Sequence, residues 1–525
     1  MGLALVSRLV LVGGIVAAAA SGCSSSRDTA ANPAGGTAVA NQRLFIARAP
    51  DAISRPPAEG RGVVLPQPAV SPPEGYVQEE RFVSGTATRL TAVDTPEDGF
   101  WATEPAGEAL YRTRVIVRRP ADPANFSGTV VVEWFNVSAI ESAPDWAYLA
   151  EEIGREGHAY VGVSAQAQGV EGGDTILDVQ VNREATSRTE AVTDPSGLKH
   201  LDPERYGTLS HPGDAYSFDI FNQVGRAVRE SPAELLGGLV PSQVLAVGES
   251  QSAIFLSTLV NALHPLDPVF DGFLIHSRGA AVAPLDGDLL RNRSADAATT
   301  MQPVRVRTDL DVPVFLFETE TDLTLLGYAE ARQPDTDRIR TWEVAGTAHA
   351  DAHVLRSILG GPRDPGVGSL LGCAAPINTG PQHEVLQAAL HHLVTWAAGG
   401  DAPPSGERIE LSAGESPSII RDDHGIAVGG VRNPLVDVPV AILTGDPAGG
   451  ATIDQLRAGK AGICVLFGQT VPFNRQTLLA RYGTADEYLE AFRRSADEAV
   501  AAGFLLRPDA DQLIAEAEAS RERFS

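Results

Sequence analysis

The stretch Val244-Leu245-Ala246-Val247-Gly248-Glu249-Ser250-Gln251-Ser252 constrains this chain more than any other. A short apolar strand run stops at a glycine, and an apolar helical stretch, Ala253 to Leu263, begins almost at once. Strand, tight turn and helix within so few residues predict a sharp turn with Ser250 at its apex, where strand and helix approach closely and neighbouring side chains must be small. Gly248 fills the first small position. Ser252 stands where the usual pattern has a second glycine, a departure that a small residue accommodates.

The same alternation of strand and helix runs through much of the chain. Val130 to Trp134 is a β-branched run expected as a buried central strand. Pro144 and Asp145 open a helix in which Trp146, Leu149 and Ile153 recur at helical spacing; Gly157 stops it and Tyr160 to Val163 starts another strand. Phe273 to Ile275, Val312 to Phe317 and Ile339 to Val344 supply three more strands. The pattern predicts an α/β fold with a mostly parallel sheet of about eight strands covered by helices.

The polar, irregular segment from Glu171 to Leu209 is longer than a normal crossover and is expected as an insertion, or lid, over the strand ends. His211-Pro212-Gly213-Asp214 then leads into a helix with Phe218, Phe221, Val224 and Val228 on one face. After a helix containing Val385, Ala389, Leu393 and Trp396, Gly399 to Pro404 marks a boundary. Residues 401–525 are expected as a C-terminal extension, β-rich at first, with a later helix carrying Tyr488, Phe492 and Val500.

With 43% hydrophobic and 21% charged residues, the 525-residue chain has ample material for a packed core. Its start has a different character. Arg8, the apolar run Leu9 to Ala20 and the small residues before Cys23 form an export-signal pattern over residues 1–22. The cysteine makes this resemble a bacterial lipoprotein signal, which implies lipidation of Cys23. A Ser-, Ala- and Gly-rich tether is expected over residues 23–60, with the globular part at 61–525. The chain is thus expected outside the cytoplasm, either touching the membrane only through its N-terminal anchor or secreted.

A formal net charge of −26 argues against a nucleic-acid partner, since phosphate binding needs clustered Lys and Arg. Oligomeric state is not readable. In an exported chain the remaining cysteines, Cys373 and Cys464, either pair as a disulfide or stay as buried thiols.

A serine hydroxyl needs a base to take its proton and donors to hold the developing oxyanion. If Ser250 is the nucleophile, acid and histidine are expected after it in that chain order. The strand Pro313 to Phe317 ends in Glu318-Thr319-Glu320-Thr321-Asp322, which makes Asp322 the expected acid and Glu320 the alternative. His349 follows the strand Ile339 to Val344 directly and is the expected base, with His353 as rival. The backbone N–H of Gln251, together with the loop at Asn136 and Val137, is expected to form the oxyanion hole. His211 and Glu249 are expected to touch substrate, although His211 equally suits a helix-capping role. His391-His392 point different ways on a helix, and no metal or other cofactor is implied.

Glu133-Trp134-Phe135-Asn136-Val137-Ser138, Pro144-Asp145-Trp146, Val161 to Gln166, Tyr206 to Asp214, Gly248 to Ala253 and Ala345 to His349 together resemble a poorly characterised group of bacterial proteins described as having an α/β hydrolase domain. The resemblance runs from about Gly75 to the C-terminus and includes Cys373 and Leu466-Phe467-Gly468. It implies an α/β-hydrolase fold, hydrolase activity, and a tail that packs as part of the same unit. It names no substrate.

The leading expectation is therefore a serine hydrolase that cleaves a small-molecule carboxylic ester through an acyl-enzyme. Two alternatives are an acyltransferase using the same triad and a non-catalytic envelope binding lipoprotein.

Overall fold

A computed structural model of the chain describes residues 44–66, 70–177, 196–289, 302–359, 373, 375–414, 417–447 and 462–525. Cys23, the signal pattern and residues 178–195 of the expected insertion lie outside the described residues.

Nine strands form the main sheet, in the order β1-β2-β3-β5-β4-β6-β7-β8-β9. They are β1 (Ala52–Ser54), β2 (Tyr76–Asp94), β3 (Ala102–Pro120), β4 (Thr129–Trp134), β5 (Ala159–Val163), β6 (Gln243–Glu249), β7 (Gly272–His276), β8 (Val314–Thr319) and β9 (Ile339–Val344). From β5 to β9 all neighbours are parallel, whereas β1, β2 and β3 add an antiparallel edge. The ninth strand comes from that edge. There β2 and β3 form a hairpin of two 19-residue strands, with register shifts at Arg89/Leu90 and Ala92/Asp94. The tether expected to reach residue 60 also ends earlier, because Ala52 to Ser54 pair with Ser84 to Phe82.

The centre of the sheet follows from β4, whose six residues are all buried. Alternation sends Val130, Val132 and Trp134 into one core and Val131 into the other. The first core is closed by helices α2 (Ser217–Glu230) and α3 (Gln251–Thr258), with Phe221 and Phe255 4.8 and 5.3 Å from the Trp134 ring. The second is closed by α1 (Pro144–Glu156) and α4 (Gln382–Ala397).

Helix α1 has Pro144 in its first turn, Arg155 in its last, and Gly157 in the left-handed region (φ 71°) as its stop. Its first turn also rests on a strand residue: Glu133 accepts the N–H groups of Asp145 and Trp146 at 3.0 and 2.8 Å.

After residue 400 the chain contributes a two-stranded sheet, β10 (Ala441–Thr444) with β11 (Gln469–Pro472), and the helices α5 (Ala485–Ala502) and α6 (Arg507–Ala519) around Tyr488, Phe492 and Leu513. Residues Arg43–Ser525 form one compact unit. Among the described residues no helix is long and apolar enough to cross a membrane.

Cys373 and Cys464 form a disulfide, their Cα atoms 5.5 Å apart across 91 residues of sequence. A bridge closing a loop of that length restricts the unfolded chain strongly. Replacing both cysteines by serine is expected to cost about 4 kcal/mol, read as a lower denaturation midpoint than the oxidised wild type. Coincident unfolding curves would contradict this.

Candidate active site

Strand β6 is buried along its whole length and delivers the chain to Ser250. Ser250 has φ 58° and ψ −118°, and among the described residues only it and Ser277 are non-glycine residues with positive φ. This is backbone strain held by the packing of β6 against α3. A Cβ on Gly248 would lie 3.1 to 3.2 Å from Ser252, a crowding that glycine avoids, and Ser252 itself fits with no exposure. The Ser250 N–H donates to the His276 carbonyl at 2.9 Å, which fastens the turn to β7.

The loop after β9 brings His349 to the turn. Its Nε2 lies 2.7 Å from Ser250 Oγ, and its Nδ1 lies 2.6 Å from Asp322 Oδ1. The other Asp322 oxygen accepts the Thr319 N–H and hydroxyl, each at 2.7 Å, in a capping box at the end of β8. Burial opposes a charge on His349, but the Asp322 carboxylate, with help from Glu249, outweighs it and raises the ring's pKa above the ordinary histidine value.

The rival residues are used elsewhere. Glu320 accepts the Gly346 N–H at 2.6 Å, the Gly445 N–H at 2.9 Å and the Arg421 guanidinium at 2.8 Å, which ties the C-terminal extension to the acid loop. His353 Nε2 bonds the Ala147 carbonyl at 3.0 Å, and its ring stacks on His383.

The three N–H groups expected to hold an oxyanion differ in their partners. That of Gln251 heads α3, where the first turn leaves donors unpaired within the helix. That of Val137 donates to the Gln251 side-chain Oε1 at 3.1 Å. The Asn136 backbone N–H is not available, because it bonds Ser142 O at 2.9 Å. Asn136 is instead a brace: its Nδ2 reaches Glu249 O at 3.1 Å and Glu249 Oε2 at 3.2 Å.

A cavity of about 280 Å³ opens beside these donors, lined by Val137, Gln251, Gln166, Asp214 and Leu289 and by Asp174 from the start of the expected insertion. The two expected substrate contacts do not line it. His211 has Nε2 on the Ala165 carbonyl at 2.8 Å and Nδ1 accepting the Gly213 N–H at 3.2 Å, so its ring holds the loop before α2. Glu249 is buried, with its carboxylate at Asn136 and 3.6 Å from His349 Nε2.

Sequence reasoning also missed a polar layer under the turn. His276 Nδ1 lies 2.8 Å from Asp145 Oδ1 and its Nε2 2.9 Å from Gln382. Burial drives this ring's pKa down to about 4. The only hint was composition: a histidine ending an otherwise apolar strand and an aspartate opening a helix.

Among the described residues one group of side chains has potential metal-ligating atoms within 4.8 Å of one another: Glu152, Glu156 and His391. There His391 Nδ1 already bonds Glu152 at 2.9 Å, and Arg155 lies 3.4 Å from the same carboxylate.

The family described as the alpha/beta hydrolase domain matches residues 53–515. The chain belongs to that family. Its match covers the turn, the acid loop, the histidine loop and the extension, so this hydrolase unit includes the residues after 400.

Solved structures similar to the hydrolase include one of two fungal esterases from Rhizomucor miehei, at 12% identity over 63% of this chain and 87% of that one, with a TM-score of 0.29. A glucuronoyl esterase from Solibacter usitatus is 13% identical over 57% and 84%, with a TM-score of 0.28. Esterase 2 of Thermogutta terrifontis is 14% identical over 49% and 83%, with a TM-score of 0.25. These similarities are too distant to bear on substrate. No protein of curated function matches the chain.

Proposed function

We propose that the protein is a serine esterase that hydrolyses carboxylic esters through an acyl-enzyme on Ser250. The observation that carries this reading is the unbroken chain from Ser250 Oγ to His349 Nε2 at 2.7 Å and from His349 Nδ1 to Asp322 at 2.6 Å, on a turn with positive φ at Ser250.

Ser250 attacks the ester carbonyl carbon as its proton passes to His349 Nε2. The carbonyl electron pair moves onto oxygen, which the Gln251 and Val137 N–H groups receive once the Gln251 side chain has swung off Val137. Collapse expels the alcohol, which takes the proton from His349. Water, deprotonated by the same ring, then frees the acid and restores Ser250. Because only the neutral ring can act as base, kcat/KM falls as pH drops through the raised pKa of His349.

The test is a p-nitrophenyl ester series from acetyl to long acyl chains, with purified wild type, Ser250→Ala and His349→Ala. Turnover confined to wild type supports the reading. Equal residual rates in all three would remove Ser250 as nucleophile. Added alcohol acceptors distinguish hydrolysis from acyl transfer by the products formed.

The site of action is proposed to be the cell envelope, with Cys23 lipidated. The Cys373–Cys464 disulfide supports an oxidising compartment. Labelled fatty acid is expected to enter wild type and not Cys23→Ala; equal labelling of both would dismiss the anchor.

A further inference from the structure

Glu249 directly precedes the nucleophile at the end of β6, and its carboxylate is buried between two functional parts of the site. One oxygen lies 3.6 Å from His349 Nε2, the ring atom that faces Ser250 Oγ. The other lies 3.2 Å from Asn136 Nδ2, which also holds the Glu249 carbonyl at 3.1 Å. Asn136 Oδ1 in turn accepts the Ser138 N–H at 2.8 Å. Residue 249 therefore touches the loop that carries Val137 as well as the base.

We propose that Glu249 is a positioning residue of the catalytic site, a second carboxylate that steadies the charged His349 ring from the Ser250 side and locks the oxyanion loop to the turn through Asn136. This rests on the esterase reading above. The 3.6 Å separation is too long for a hydrogen bond, so in the resting state Nε2 is left to accept the Ser250 hydroxyl proton. After transfer the Ser250 O–H bond is broken, the Oγ–carbon bond has formed, the proton is on Nε2, and the ring is cationic. It then has Asp322 at Nδ1 and Glu249 beside Nε2. In a site this buried, that second negative charge acts through low dielectric and lowers the energy of the ion pair.

The charged and titratable groups around Glu249 come from every element packed on it: His349 after β9, Asp322 after β8, His276 on β7, and Asp145 and Tyr148 on α1. Burial pushes its pKa up to about 7, with His349 and His276 pulling it back and Asp145 and Asp322 adding to it. With 3.6 Å between the Glu249 carboxylate and His349 Nε2, each group shifts the other and the two ionisations are coupled. An ionised Glu249 favours the protonated ring. Removing its charge lets His349 remain an effective base at lower pH.

The experiment is the pH profile of kcat and kcat/KM for wild type, Glu249→Gln, Glu249→Asp and Asn136→Ala on one p-nitrophenyl ester. Gln keeps an acceptor for Asn136 and deletes the charge. Its acid limb is expected at lower pH than in wild type, with plateau kcat about tenfold lower, the factor that corresponds to one pKa unit of differential interaction.

Asp keeps the charge and is expected to hold the limb near the wild-type position. Asn136→Ala breaks the brace and is expected to lower kcat without moving the limb. A Gln profile that superimposes on wild type, with kcat within twofold, overturns the proposal. If Gln does not fold, Glu249→Ser replaces it as the uncharged arm, with the same two outcomes. Failure of the esterase reading looks different: wild type itself then hydrolyses no ester, or does so no faster than Ser250→Ala.

Discussion

Ser250→Ala is expected to hydrolyse a p-nitrophenyl ester with kcat about 10⁵-fold below wild type, while its unfolding curve stays close to the parent's. The loss is this large because no neighbour can stand in. Ser252, two residues along, has no exposure and lies against Gly248. Alanine carries a Cβ as serine does, so the strain of positive φ at residue 250 stays while its chemical use is gone. His349→Ala is expected to reach a similar level, since triad members act as a unit and their losses do not add. A Ser250→Ala protein that keeps a tenth of the activity would mean that another nucleophile does the work.

Asp322→Asn is expected to lower kcat by about 10⁴-fold, and Glu320→Gln by no more than a few-fold. The reason lies in the hydrogen bonds of Asp322. One oxygen is already claimed by two donors, the Thr319 N–H and hydroxyl, so an asparagine must put its own oxygen there. Its NH₂ then faces His349 Nδ1, which must become the acceptor. The ring proton moves to Nε2, and the ring can no longer take the proton of Ser250.

Glu320 carries no such duty. Its change removes charge from a cluster with Arg421, Gly346 and Gly445, and is expected to cost about 1–3 kcal/mol of stability, read by chemical denaturation. Equal kinetic losses in the two variants would mean that the acid has been misassigned.

The contrast between these carboxylates shows what a linear sequence can disclose. The turn at Ser250 is legible because its determinants are local: a strand run, one glycine, small neighbours and a helix, all within a dozen residues. Asp322 and His349 are legible because each follows a strand whose end fixes where the loop emerges.

What was not legible depends on partners far away in sequence. The three-residue strand Ala52 to Ser54 has no period of its own and exists by pairing with β2. The β2–β3 hairpin mixes polar and apolar residues on long strands, and its order comes from cross-strand register. His211 offered a polar, aromatic setting that suits a binding residue equally well, until the Ala165 carbonyl took its ring. Glu249 reads as a substrate contact in a pentapeptide motif. Only the arrival of Asn136 and His349 from two other loops turns its carboxylate inward. Pairing of Cys373 with Cys464 across 91 residues is likewise a property of the fold and not of the spacing.

Esterase chemistry at this site requires Ser250 to be an activated nucleophile. Wild type, Ser250→Ala and His349→Ala should be treated with a fluorophosphonate at neutral pH and examined by peptide mass spectrometry. One stoichiometric adduct is expected on Ser250 in wild type and none in Ser250→Ala, with labelling slowed by orders of magnitude in His349→Ala. An unmodified wild type beside a fully labelled control esterase, or an adduct on a different residue, would contradict it.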